Sequence, residues 1–335
     1  MCSSDLLIEQ GLLDFDTELA TIVDLERSKS SSSIASKALR NVVAGSCNSG
    51  SAAGATPNCC CYVNDPRVRL RFLRSERFNP QKAAQRYFQS LSVLHEYFGD
   101  DALKRQLYIS DLTTEEIRYL KNKGEFQLMN STDSVGRRIY FVFFAASHYS
   151  LLRIKRRIHV FLLHSVVAED VVAQRKGIVF VGSPDPLPAS NSSASSSQLM
   201  ASAGRGGNPA SEMDIHVKSF REIIKGLPVN ISATHLCFPN EQRFEAFVAV
   251  LLVVLGEDAR ARSISHTNSG SSIMQMMYTL QNFGIFDFPL THTGTIKTKN
   301  VKDFVKARTA IDSFRRERSK QTKSGTGTIA FTTDE

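Results

Sequence analysis

The chain has no tryptophan, no Cys-x-x-Cys pair, no Gly-x-x-x-x-Gly-Lys loop and no His-Glu-x-x-His helix. Its longest apolar run is about ten residues. Each absence removes a class. Without paired cysteines a zinc ribbon is not expected, and the adjacent Cys59, Cys60 and Cys61 cannot bridge one another without severe strain. Ten apolar residues fall well short of the roughly 20 that cross a bilayer. The N-terminus is acidic rather than basic, so it does not read as a secretory signal. The missing phosphate loop and metalloprotease helix leave no ready-made catalytic constellation. Val181-Gly-Ser183-Pro-Asp follows a strand pattern, yet lacks the second glycine of a nucleophile elbow. Gly204-Arg-Gly-Gly207 falls in a Ser/Ala-rich stretch, not between a strand and a helix. The expectation is a cytoplasmic, reduced protein that is not an enzyme and needs neither cofactor nor metal.

What is present is an uneven charge. Of a net +8 over 335 residues, residues 1–26 hold seven carboxylates and no Lys or Arg, whereas 297–323 hold ten basic residues against three acidic. Such asymmetry suits an anionic partner, or else a solvated helix. A hydrophobic share of 42% supplies a sizeable core.

Residues 1–64 are expected to be mostly disordered, acidic and then Ser/Gly-rich, with an amphipathic helix possible over the first 26. The Cys59–Cys61 triplet is open to S-palmitoylation or to a bland role as surface thiols. Order begins at Asp65-Pro66, an N-cap followed by proline at the first helical position, and the pattern repeats at Asn79-Pro80. A third helix is capped near Thr113 and stops at Gly124. These signals mark 65–125 as an N-terminal helical subdomain.

Beyond Gly124 the period changes. Phe126–Met129 and Arg138–Phe144 read as a hairpin, and IYFVFF is continuous enough for a strand buried on both faces. A long helix is expected from Ser150 to about Gln174, then a buried strand at 177–182, a flexible insertion at 183–211, and a helix to Lys225. From Leu227 onward, strand, helix, strand and helix alternate through Ile285. That order indicates βαβ units, hence an α/β fold with a mostly parallel sheet flanked by helices. The helix Phe244–Leu255, FEAFVAVLLVVL, has almost no polar face, so it must be buried or must cover something apolar.

Several motifs in series resemble the CRAL-TRIO lipid-binding family. RLRFLRSERFNPQKA, Arg69 to Ala83, resembles its helical opening, and Gly136-Arg137-Arg138 before IYFVFF resembles its entry into the first core strand. Gly177-Ile-Val-Phe-Val is similar to its second strand. LPVNISATHLCFPN, Leu227 to Asn240, is similar to its Tyr-Pro…Asn-x-Pro segment, and Tyr278–Gly284 to its closing stretch. The likeness spans roughly Asp65 to Thr293. Members that hold phosphatidylinositol use a Glu before the Leu-Pro segment and a Lys on the following helix. Their counterparts here are Lys218 or Val217, and Leu252, which speaks against phosphoinositide exchange in the family's best-known manner.

The resemblance implies a lipid-binding domain over 126–293, with an apolar gate helix above an internal pocket. Expected pocket residues are Phe141, Phe143, Phe180, Leu236 and Phe238, or their alternates on each strand. The gate would be formed by Phe244, Phe247, Val250, Leu251 and Val254. The basic helix and tail over 294–335 offer Lys302, Lys306, Arg308, Arg315 and Arg316 to an anionic membrane. It fits equally well a helix docked on the body. The expected partners are a lipid or other small hydrophobic ligand and, transiently, a membrane surface. Peripheral membrane association and a monomeric state go with them. The rival is a basic protein- or nucleic-acid-interaction module built on the arginines of 67–77, although no nucleic-acid motif accompanies them. His235 and His266 are expected to be satisfied core histidines.

Overall fold

The structure, a computed structural model, describes residues 3–28, 62–144, 151–184, 220–239, 242–268, 280–286 and 299–323. The Cys59–Cys61 triplet, the 183–211 insertion beyond Pro184 and all but Leu280 of the helix expected over Ser271 to Leu280 lie outside them. In the first segment the amphipathic helix that the sequence allows is the one observed. Ser3–Ser28 is one continuous helix, α1, that buries Phe15, Leu19 and Val23 along one side. Their i, i+4, i+8 spacing is the stripe a helix needs to dock.

Pro66–Ser75 (α2) and Pro80–Phe98 (α3) start where the caps place them. The Asp65 carboxylate accepts from the Arg67 N–H at 2.8 Å, and the Asn79 side chain from the Lys82 N–H at 3.0 Å. Between the two helices Arg77 and Phe78 both take positive φ, and the Phe78 N–H donates to the Leu73 carbonyl at 2.7 Å to close the turn. Thr114–Lys123 (α4) opens on a reciprocal box in which Thr113 and Glu116 satisfy each other's backbone N–H, and ends at a left-handed Gly124.

A five-stranded sheet follows, with strands in the order of the sequence: β1 Phe126–Thr132, β2 Arg138–Phe144, β3 Ile178–Pro184, β4 Ile231–Pro239 and β5 Ser263–Asn268. β1 pairs antiparallel with β2, and the other three pairings are parallel. The fold is therefore α/β with a mostly parallel sheet. Right-handed crossovers in a sequential sheet put every connecting helix on the same face. Helix Gln242–Leu255 (α7), the helical end at 220–225 and the β2–β3 connection accordingly share one hydrophobic core with α1 to α4.

The β2–β3 connection is not the single helix that its sequence suggests. Leu152–Val160 (α5) widens into a π-helical stretch over Phe161–Val167, and the chain breaks at Asp170. That carboxylate caps Val171–Lys176 (α6) by accepting from the Val172 and Ala173 N–H groups, and it pairs with Arg138 at 2.7 Å. The apolar pattern runs unbroken through both pieces, so only Asp170 marks the break. Gly177 then turns into β3 at φ +76°, where a side chain would collide with Ser232.

Candidate functional site

Strand register assigns each expected pocket residue to a face. Tyr140 pairs with Phe180, Phe180 with Thr234, and Gly182 with Leu236, so these residues and Phe238 point to the helix side. Phe141 pairs with Val181 and Phe143 with Ser183, which places both phenylalanines on the opposite face. The five residues therefore do not line one pocket. Phe180, Leu236 and Phe238 belong to the core beneath the helices, where Tyr140 and Val142 are the β2 alternates. Phe141 and Phe143 belong to a second core with Met129, Val179, Val181, Cys237, Leu280 and Ile285. The alternation was hidden because IYFVFF is apolar at both parities.

α7 lies on the helix side. Val248, Leu251 and Leu255 are buried, at the i, i+3, i+7 spacing of one stripe, and join Leu236 and Phe238 in the same core. After the exposed Glu245 of its first turn the rest of the circumference is also apolar: Val250 is half-buried and Val253 is 54% exposed. Phe244, Phe247 and Val254 sit on this helix, but their side chains lie outside what is described.

The core under the helices holds two histidines. His159 shares a 2.9 Å hydrogen bond with the Tyr140 hydroxyl and packs against Phe126. Burial, aided by nearby Lys155, pushes its pKa down to about 3. His164 Nδ1 lies 3.0 Å from the Ser90 hydroxyl and Nε2 lies 3.0 Å from the Ile223 carbonyl. The carbonyl can only accept, so Nε2 carries the proton and Nδ1 receives the hydroxyl's. Burial lowers this pKa to about 4. Both imidazoles stay neutral and locked.

On the second face His235 Nδ1 and His266 Nε2 are 2.9 Å apart, their rings parallel within 7° and both against Phe283. Burial first, then His266 and Arg137, bring His235 down to about 4. As expected, these histidines satisfy each other. Burial also pushes the neighbouring Cys237 thiol up to about 12, which leaves it unreactive at neutral pH. Among the described residues no three His, Cys, Asp or Glu side chains are placed to hold a metal ion.

The basic segment forms one helix, Lys299–Lys323 (α8), with two unlike sides. Val301, Val305, Arg308 and Asp312 face inward. Arg308, 5% exposed, donates to both oxygens of Glu169 at 2.9 Å and pairs with Asp312 at 2.9 Å. The other Asp312 oxygen receives the Ile109 N–H at 2.7 Å. Arg315 reaches the same Glu169 at 2.8 Å, and Arg316 lies over the Tyr108 ring. Burial would raise the Glu169 carboxyl, but the two guanidiniums hold it below the usual carboxylate range. Arg308 is thus corrected from a membrane contact to an internal clamp, with Arg315 and Arg316 partly drawn into the same attachment.

Lys302 and Lys306 remain on the exposed side. They line a cleft of about 510 Å³ together with Val305, Thr309, Ala310 and Lys121 of α4. Sequence reasoning missed Lys121, which stands nearly two hundred residues earlier with nothing local to mark it. It also missed Glu169 and Asp312, whose meaning depends on Arg308 arriving between them.

In the other basic helix three of the four arginines are used internally. Arg69 of α2 pairs with Asp16 at 2.5 Å and donates to Asn64 at 2.9 Å. Arg71 donates to the Tyr62 hydroxyl at 3.1 Å and Arg74 to Gln174 at 2.7 Å. No helix among the described residues is long and apolar enough to cross a membrane. Compared with protein-family models the chain matches none, and compared with curated proteins it again matches none.

Proposed function

We propose that the protein binds a hydrophobic lipid ligand beneath α7 and presents or transfers it at a membrane surface, in the manner of a CRAL-TRIO carrier. The observation that carries this reading is the circumference of α7. A helix that seals a core on one side and meets water on the other normally carries a polar outer face. Here a single carboxylate, Glu245, opens that outer side, and the later turns carry Val253, 54% exposed, with Val250 half-buried beside it. A helix of this kind is suited to leave the sheet and meet lipid with both sides.

In the described state the gate is closed, since Val248, Leu251 and Leu255 fill the space above Leu236 and Phe238. Entry of an acyl chain lifts that stripe and replaces it. Each methylene buried contributes about 0.8 kcal/mol, so a long chain offsets the loss of three aliphatic contacts. Gly256, at φ +84° with open space around it, is a natural pivot at the helix end. The helices over 65–125 serve as a supporting subdomain, and the protein acts as a monomer that visits membranes peripherally. No bond is made or broken in such a cycle, so no catalytic residues are assigned. The rival reading as a basic protein- or nucleic-acid-interaction module is weakened by the internal use of Arg69, Arg71 and Arg74.

The test is uptake of a labelled lipid from vesicles, with native mass spectrometry of the purified protein. A stoichiometric lipid is expected, and Val253→Asp is expected to lower uptake roughly tenfold by placing a charge on the side that meets lipid. Leu251→Asp is the wrong probe, because a charge at that buried position disrupts the core whatever the function. A protein that arrives empty and takes up no lipid would sink the proposal.

A further inference from the structure

We infer that the cleft between α4 and α8 is a docking site for a phosphomonoester lipid headgroup at a bilayer surface. The inference supplies the membrane side of the function proposed above and rests on that reading for its biological sense, but it stands on different residues.

Three lysines, Lys121, Lys302 and Lys306, line this one cleft. Among the described residues none of them has an ion-pair partner. This contrasts with the arginines one turn away, which find Glu169 and Asp312. Asp303, the sole carboxylate between Val301 and Ile311, is not part of the lining. Like charges held together without a counter-charge raise the local potential and suit a ligand of more than one negative charge. Lysine is a point-charge phosphate binder, so it asks for no fixed bidentate geometry.

The remaining lining argues for a lipid rather than a free ion. Val305 and Ala310 are apolar, and the Thr309 hydroxyl is turned back to the Val305 carbonyl at 2.7 Å. Polarity is therefore supplied by the lysines alone. Lys306, Ala310 and Phe314 stand at i, i+4 and i+8, a single row along α8. The row leads from the cleft to Phe314, 65% exposed, with Ile311, 47% exposed, beside it. A bilayer surface matches both parts, with phosphate over the lysines and acyl carbons against the two apolar side chains.

The test uses the full chain and co-sedimentation with phosphatidylcholine vesicles carrying either phosphatidic acid or phosphatidylglycerol, matched in surface charge. Tighter binding to phosphatidic acid is expected. Lys302→Gln/Lys306→Gln should weaken it roughly thirty-fold and remove the preference between the two lipids. Lys82→Gln/Lys225→Gln, which removes the same charge from exposed positions elsewhere, should change little. Equal loss in both double variants overturns the site, and equal binding of the two anionic lipids overturns the phosphomonoester class. Inorganic phosphate that binds the cleft while the protein shows no affinity for phosphatidic acid vesicles overturns the lipid source. The readouts also separate the two proposals. A protein recruited to phosphatidic acid that retains no lipid fails the carrier reading alone, and one that takes up lipid without this preference fails the docking site alone.

Discussion

α2 and α8 look alike as sequences, each an arginine- or lysine-rich helix with apolar residues at helical spacing, yet the fold uses them differently. In α2 the arginines are structural connectors, reaching Asp16, Asn64, Tyr62 and Gln174 on three other segments. In α8 the charges divide by side. The inward arginines clamp Glu169 and Asp312, and the outward lysines keep their charge for the cleft. A basic run is therefore not yet a binding surface. What decides is where the carboxylates end up, and two of them, Asp16 and Glu169, lie far off in the chain.

The comparison breaks most readily at Arg308. Replacing it by alanine leaves Glu169 and Asp312 close together with a central cation missing, and should cost about 3–5 kcal/mol by chemical denaturation. Arg69→Ala removes a pair whose Asp16 partner is half-exposed, and should cost about 1 kcal/mol or less. If Arg69→Ala proves the more damaging, the division drawn between the two helices is wrong.

Acid sharpens the contrast further. His159, His164 and His235 have folded-state pKa values of about 3, 4 and 4, below their ordinary 6.5. The unfolded chain therefore binds protons first, so their contribution is intact above pH 6.5 and declines as pH falls towards 4. Glu169, held below 4.5, keeps its clamp on α8 through that same window and loses it only at lower pH. Denaturation measured between pH 7 and pH 4.5 should thus show core stability falling while α8 stays attached until the body unfolds. Separate release of α8 at pH 5–6, seen by hydrogen exchange, would contradict the assigned role of Glu169. The smallest effect belongs to Lys302→Gln/Lys306→Gln, which should leave stability within about 0.5 kcal/mol, as surface changes do. A larger loss would mean that the lysines hold the fold rather than serve a ligand.

Much of the backbone was legible. Asp65-Pro66, Asn79-Pro80 and Thr113 mark helix starts because caps act locally, and the alternation after Leu227 marks parallel strands because crossovers need helices. The amphipathic helix of the first 26 residues was legible too, and Phe15, Leu19 and Val23 are the part of its apolar side that docks. Two features were not legible, for physical reasons. The parity of β2 was hidden because both its faces are covered, which made Phe141 and Phe143 indistinguishable from Tyr140 and Val142. The roles of Lys121 and Glu169 depend on α8, whose contacts with them span more than a hundred positions. Local chemistry reads from local sequence, whereas the candidate site is assembled by the last long helix.

The sequential strand order has a consequence for synthesis. Helices that complete the first core are made alternately with their strands, so that face can close as the chain emerges. Among the described residues the second face is covered by Leu280 and Ile285, which are translated about a hundred residues after Val181. At roughly 5–20 residues per second, Val179 and Val181 wait about five to twenty seconds for that cover and Phe141 and Phe143, about 140 residues ahead of it, about seven to thirty. Gly284, pressed against Ser134 where any side chain would collide, fixes the arriving segment in place. During the interval the nascent protein presents an aromatic sheet face to solvent, and its dependence on chaperones should follow the speed at which the last third is made.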